Sequence, residues 1–182
     1  TQDATPEKKA KCERHKKCGG RKKRGEKPPP PAYKKTLTAA AKAAFKAGVT
    51  DAFPAKDAEI SFLLTDDDTV RVLNKNYRQK DAPTNVLSFA AMDDEDADAE
   101  LTQDGVFLLG DIVIALQTVQ REAQELHIPF EAHFSHLVVH GVLHLLGFDH
   151  IEDEDAEEME SLETQILKKL GFDNPYAAVC ED

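Results

Sequence analysis

The amino-acid sequence predicts an α+β domain, a single small mixed β-sheet covered by helices, and three observations carry that expectation. Short strand-like segments are interleaved with helical ones before residue 115, helical spacing dominates after it, and no internal repeat is present. A length of 182 residues suits one domain with a real core plus a tail.

The tail comes first. Residues 1–35 show no hydrophobic periodicity, contain Gly19-Gly20 and run through Pro28 to Pro31, so they read as a flexible basic arm ending in a polyproline spacer. The folded domain is then expected over 36–182. From Thr36, the residues Leu37, Ala40, Ala44 and Phe45 recur at helical spacing and Gly48 supplies a stop. Ala58–Leu64 reads as a strand. Asp66 to Asp68 can cap a helix through Tyr77 with Val70, Leu73 and Tyr77 on one side, and Pro83 closes it off. Val86–Phe89 is a short strand, and residues 93–104 form an acidic, solvated loop. Val106–Ile114 follows as a strand with a bend expected at Gly110. Leu116, Val119, Ala123 and Leu126 mark a helix ended by Pro129. Phe130–Leu146 makes a longer helix stopped at Gly147, and Asp153–Leu170 makes the last, stopped at Gly171.

The net charge of −11 hides an asymmetry: residues 1–35 hold 13 Lys and Arg against 4 Asp and Glu, a balance of +9, which leaves −20 on the remainder. An acidic body repels polyphosphate at long range, so a nucleic-acid site requires a local cationic cleft or help from the arm. Three cysteines, Cys12, Cys18 and Cys180, make no disulfide framework and fit a reducing compartment. Neither an apolar run of about 18 residues nor a signal-peptide pattern is visible. The expected setting is cytoplasmic, without membrane contact.

The chemistry concentrates in residues 140–150. His140 and His144, four apart on a helix, offer imidazole nitrogens from one face. Gly147 permits a sharp left-handed turn that returns His150 to the same point. Three neutral imidazoles at about 2.0–2.1 Å suit one zinc ion per chain, and three protein ligands leave a fourth position open, as catalytic sites do. Such an ion acidifies a water and polarises a carbonyl or phosphoryl oxygen, so both hydrolyses stay open at this point. The plain alternative is three unrelated surface or core histidines. Asp149 is either a ligand, a partner of one, or a solvated cap.

The spacing His-x-x-x-His-x-x-Gly-x-x-His resembles that of metzincin metalloproteases, which makes peptide hydrolysis a rival and the expected helix metalloprotease-like. Those enzymes place a glutamate base directly after the first histidine, where this chain has Gly141. A fuller resemblance is to the YbeY family of endoribonucleases and rRNA maturation factors. It rests on His140-Gly141-Val142-Leu143-His144-Leu145-Leu146-Gly147-Phe148-Asp149-His150. It rests also on Tyr77-Arg78-Gln79-Lys80-Asp81-Ala82-Pro83-Thr84-Asn85-Val86-Leu87-Ser88-Phe89, Leu109-Gly110-Asp111-Ile112 and the Glu-Met-Glu near residue 159. The likeness covers residues 36–177. It departs at the N-terminus, where the family's short first strand has no counterpart in residues 1–35.

That resemblance implies an endoribonuclease acting on single-stranded RNA of the small ribosomal subunit, in 16S rRNA 3′-end maturation and ribosome quality control, with ribosomal proteins as possible partners. A non-catalytic assembly factor is the remaining rival. Arg78 falls on the family's arginine, and a guanidinium offers planar, permanently charged donors to a scissile phosphate. Arg78 and His140 are therefore the expected catalytic pair. Lys80 adds positive potential, and Thr84 and Ser88 can hydrogen-bond phosphate or sugar oxygens, against the plain reading of loop and strand polarity. Asp111, in an apolar strand, calls for a partner such as a backbone donor or a ligand histidine. His136 is expected to be a hydrogen-bonded helix residue, and His127 and His133 to lie on the surface. Cys12, His15 and Cys18 make a weak metal knuckle at most.

Overall fold

The structure is a computed structural model, and it describes residues 31–50, 53, 57–91 and 106–177. The residues expected to form the arm up to 30, the acidic loop 93–104 and Cys12, His15, Cys18 and Cys180 lie outside the described residues. The element order is α1 (Pro31–Gly48), β1 (Ala58–Thr65), α2 (Asp67–Arg78), β2 (Val86–Ala90), β3 (Phe107–Ala115), α3 (Leu116–Glu125), α4 (Phe130–Leu145) and α5 (Asp153–Lys169). The expected elements are all present, most of them within a residue or two of the anticipated ends. The first helix differs: it begins at Pro31, inside the stretch assigned to the arm. Proline is well tolerated in a first helical turn, and the Tyr33 ring packs 5.0 Å from Phe130 and 5.8 Å from Phe134, which gives this turn a tertiary anchor.

The described strands form a mixed sheet in the order β1-β3-β2, with β1 parallel and β2 antiparallel to β3. The bend expected at Gly110 is a bulge: the register with β1 shifts between Glu59 and Ile60, and Gly110 adopts a φ of +139°. Alternation along β3 divides the interior in two. Phe107, Leu109, Ile112 and Ile114 join the larger core with α1, α3, α4 and α5, while Val113 and Ala115 pack with Leu87 and with Val70 of α2 on the opposite face. Asp111 shares that second face and is solvent-exposed, so the expected partner for its carboxylate is not needed.

Helix α4 is the axis of the domain. It packs on α1, α3, α5 and both β2 and β3, and it buries Phe134, Leu137, Val138, Val139, Val142, Leu143 and Leu145. Because neighbours surround it, His133 is buried too, contrary to the expected surface position. Its Nε2 lies 2.7 Å from Glu122 Oε2, and Asn85 Nδ2 donates to the same carboxylate, tying α3, α4 and the start of β2 together. His127 is exposed as expected. Among the described residues no helix is long and apolar enough to cross a membrane.

Candidate metal centre

The C-terminal half of α4 delivers the first two histidines. One helical turn separates them, and their ring centroids are 4.4 Å apart. Beyond Leu145 the chain turns through Gly147, whose φ of +92° suits glycine and strains any L side chain. This turn carries His150 back, with its ring 5.5 Å from that of His140 and 4.8 Å from that of His144. The three rings offer nitrogens that lie within 4.8 Å of one another.

The second nitrogens decide which atoms face inward. His144 Nδ1 donates to the Phe148 carbonyl at 2.9 Å, a contact made by the same glycine turn. His140 Nδ1 donates to Glu163 Oε1 at 2.7 Å. Both rings therefore present Nε2, and these two atoms face each other at 3.0 Å. Two lone pairs at that distance repel unless a proton or cation stands between them, and tetrahedral zinc with bonds of about 2.0–2.1 Å brings its donors to roughly 3.3 Å from each other. The donor set thus fits a divalent cation. Burial, then the neighbouring His140 and His150, push the His144 pKa down, which favours the neutral form a metal requires. His150 is half exposed and its Nδ1 is 3.7 Å from Asp149, while Asp149 Oδ1 accepts from the His150 backbone N–H at 2.7 Å. Asp149 is not one of the converging donors.

Glu163 is the residue that sequence reasoning missed. It lies in the middle of α5 and is 0% exposed, with Oε2 contacting His136 Nε2 at 3.0 Å and the Tyr176 hydroxyl as well. Burial pushes its carboxyl up, but hydrogen bonds from His136 and His140, together with His136 charge and the Tyr176 hydroxyl, outweigh that and hold it at about 2. Burial and this carboxylate push the Tyr176 hydroxyl far up. The one available signal was spacing: Met159, Glu163, Ile166 and Leu167 occupy the buried stripe of α5, so Glu163 is the charge in an apolar series. His136 is a hydrogen-bonded helix residue, as expected.

The remaining predicted residues lie on β2, in the turn before it and at the end of α2. Ser88 of β2 lies against α4: a Cβ built on Gly141 would stand 3.2 Å from its Oγ and 3.1 Å from Ile112 Cδ1. Position 141 therefore faces the sheet, and a glutamate there would enter the core. Thr84 is partly buried in the turn before β2. Arg78 and Lys80 are exposed at and just beyond the end of α2. Asp81, the nearest carboxylate in sequence, is taken by Arg71 at 2.7 Å and Lys75 at 2.9 Å, so neither Arg78 nor Lys80 forms an ion pair among the described residues. Tyr77 packs on Phe89 at 5.1 Å, which places the end of α2 beside β2. Among the described residues no hydrogen bond or ring contact joins Arg78 to the histidines. A hollow of about 330 Å³ beside the turn is lined by Gly48, Phe53, Phe148 and Asp149 and not by the histidines.

Comparison with known proteins identifies the family. A family model described as Endoribonuclease YbeY matches residues 26–171. An Endoribonuclease YbeY from Paramagnetospirillum magneticum is 52% identical over 134 residues, covering 74% of this chain and 80% of that protein. Another, from Rhizorhabdus wittichii, is 51% identical over 147 residues, covering 80% of this chain and 85% of its own length. The solution structure of TM1509 from Thermotoga maritima superposes with a TM-score of 0.50 at 25% identity, covering 75% of this chain and 82% of that one. With the family model spanning the whole of the sheet, the histidine turn and all of α5, the chain belongs to the YbeY endoribonuclease family.

Proposed function

We propose that the protein is a metal-dependent endoribonuclease that cuts single-stranded RNA, with zinc as the ion, held by His140, His144 and His150. The observation that carries the reading is the pair of Nε2 atoms at 3.0 Å, with a hydrogen-bond acceptor on the opposite side of each ring. A divalent cation there supplies Lewis acidity toward a phosphate oxygen and acidifies an adjacent water. The chain's own groups do the rest. The exposed guanidinium of Arg78 binds the scissile phosphate and offsets its developing charge, Lys80 adds potential at the same end of α2, and Thr84 hydrogen-bonds the sugar-phosphate backbone just before β2, whereas the Ser88 hydroxyl is turned toward Gly141 of α4 and is dropped from the expected substrate contacts. On family grounds the substrate is rRNA of the small subunit, cut in 16S 3′-end maturation and ribosome quality control in the cytoplasm, with ribosomal proteins as partners.

Peptide hydrolysis is disfavoured by Gly141, which packs against Ile112 and Ser88 and leaves no room for the glutamate base. Arg78→Ala and His140→Ala proteins with native circular dichroism are expected to lose roughly 10²-fold or more in turnover of unstructured RNA. Unchanged RNA cleavage by both would leave a non-catalytic assembly factor as the better reading. A matched DNA strand separates the nucleophiles, since a 2′,3′-cyclic product end requires the ribose hydroxyl.

A further inference from the structure

We propose that Glu163 is a positioning residue of the metal centre, fixing His140 so that its Nε2 faces the ion, with His136 and Tyr176 holding the carboxylate in place. This rests on the metal reading given above and adds a fourth side chain, from a different helix, to what builds the site.

The geometry assigns the role. An ionised carboxylate only accepts, so the contact of 2.7 Å between Glu163 Oε1 and His140 Nδ1 requires the proton on Nδ1 and leaves the Nε2 lone pair free. Without that acceptor the ring can flip, or carry its proton on Nε2, and either change removes a ligand. His144 has an equivalent restraint from the Phe148 carbonyl at 2.9 Å, which is local backbone in the same turn. His140 has nothing local, because Nδ1 looks across to α5. The restraint is itself restrained: Glu163 Oε2 is held by Tyr176 and lies 3.0 Å from His136 Nε2, and Tyr176 and His136 are 3.2 Å apart. Glu163 is 0% exposed, so water does not take the place of any of these partners. His136, His140 and Glu163 also lie close enough to hold a second cation, but an ion there would displace the proton that joins His140 to Glu163. One ion and one carboxylate clamp keeps both Glu163 oxygens, the Tyr176 hydroxyl and His140 Nδ1 hydrogen-bonded.

The test compares the full chain with its Glu163→Ala, Glu163→Gln and Tyr176→Phe variants. Zinc affinity is measured by competition with a chromophoric chelator, and Co²⁺-loaded protein is examined by its visible spectrum. In the metal-free protein, long-range ¹H–¹⁵N correlations report which nitrogen of His140 carries the proton. Glu163→Ala is expected to weaken zinc binding about 10–100-fold, alter the cobalt spectrum and lose the Nδ1–H form of His140. Glu163→Gln, which keeps an acceptor oxygen and the side-chain volume, should lose less, and Tyr176→Phe less again. Should Glu163→Ala fail to fold, the ordering of the other two and their His140 protonation decide the matter. Wild-type zinc affinity and an unaltered cobalt spectrum in the Glu163 variants, or two ions bound per wild-type chain, would overturn the clamp. A wild-type chain that binds no ion would remove the metal reading itself, a distinct result.

Discussion

At Gly141 two effects oppose each other. Alanine is favoured over glycine in a helix interior by about 1 kcal/mol. Against that, the added Cβ would meet Ile112 Cδ1 at 3.1 Å and Ser88 Oγ at 3.2 Å, and Ile112 is fully buried in the central strand with no room to yield. Overpacking of a tight core costs about 1–3 kcal/mol, so Gly141→Ala is expected to be net destabilising, which a lower midpoint in urea denaturation would register. Stability equal to or above wild type would mean that α4 and β2 separate more easily than their contact indicates. Gly147 owes its identity to the backbone, not to crowding, since no atom lies within 4 Å of the Cβ position. The two glycines of one motif thus have different causes: one lets α4 approach the sheet, the other turns the chain so that His144 gains its carbonyl partner and His150 returns.

Helix α2 is tied down at both ends, which fixes where Arg78 and Lys80 stand. Its N-terminus is capped by Asp66, which accepts from the Thr69 N–H at 2.8 Å, and Asp67 accepts from the backbone and hydroxyl of Thr118 at 3.0 and 2.8 Å, capping α3 in turn. Its C-terminus is held by Asn74, which donates to the Ala82 carbonyl at 2.7 Å, and by Asp81 against Arg71 and Lys75. Hydrogen bonds from Arg71 and then Lys75 lower the Asp81 pKa to about 2. An unfolded aspartate titrates near ~3.9, so this group's contribution is complete above that value and is lost as pH falls through about 2. Asp81→Asn should therefore melt below wild type at neutral pH, with the gap closing between about pH 4 and 2 and shrinking in high salt because the pair is exposed. A gap that persists unchanged to pH 2 would assign the loss to loop packing around Arg78 and Lys80 instead of charge.

Metal binding, if coupled to the folded state alone, stabilises the whole domain by mass action: about 4 kcal/mol when the free ion is a thousandfold above its Kd. For a domain of this length that corresponds to a rise of roughly 10 °C in Tm, and a chelator should reverse it. A Tm indifferent to both zinc and chelator would contradict a preformed site. Much of this molecule was readable before any coordinates, because its signals are local. Hydrophobic periodicity marked each helix and strand, Asp66 and Gly147 marked ends, and the i, i+4 histidines with a glycine bend marked a group of converging imidazoles that could hold a metal, all within stretches where neighbours in sequence are neighbours in space. What resisted reading was set by distant packing. Asp111 is exposed because no described residue covers its part of the sheet, His133 is buried because five elements enclose α4, and α1 starts at Pro31 because Tyr33 finds Phe130 nearly a hundred residues later. Glu163 belongs with these. Spacing can aim two imidazoles from one helix, but the partner of His140 Nδ1 is a carboxylate 23 residues away, and that partnership exists only once α5 has packed on α4.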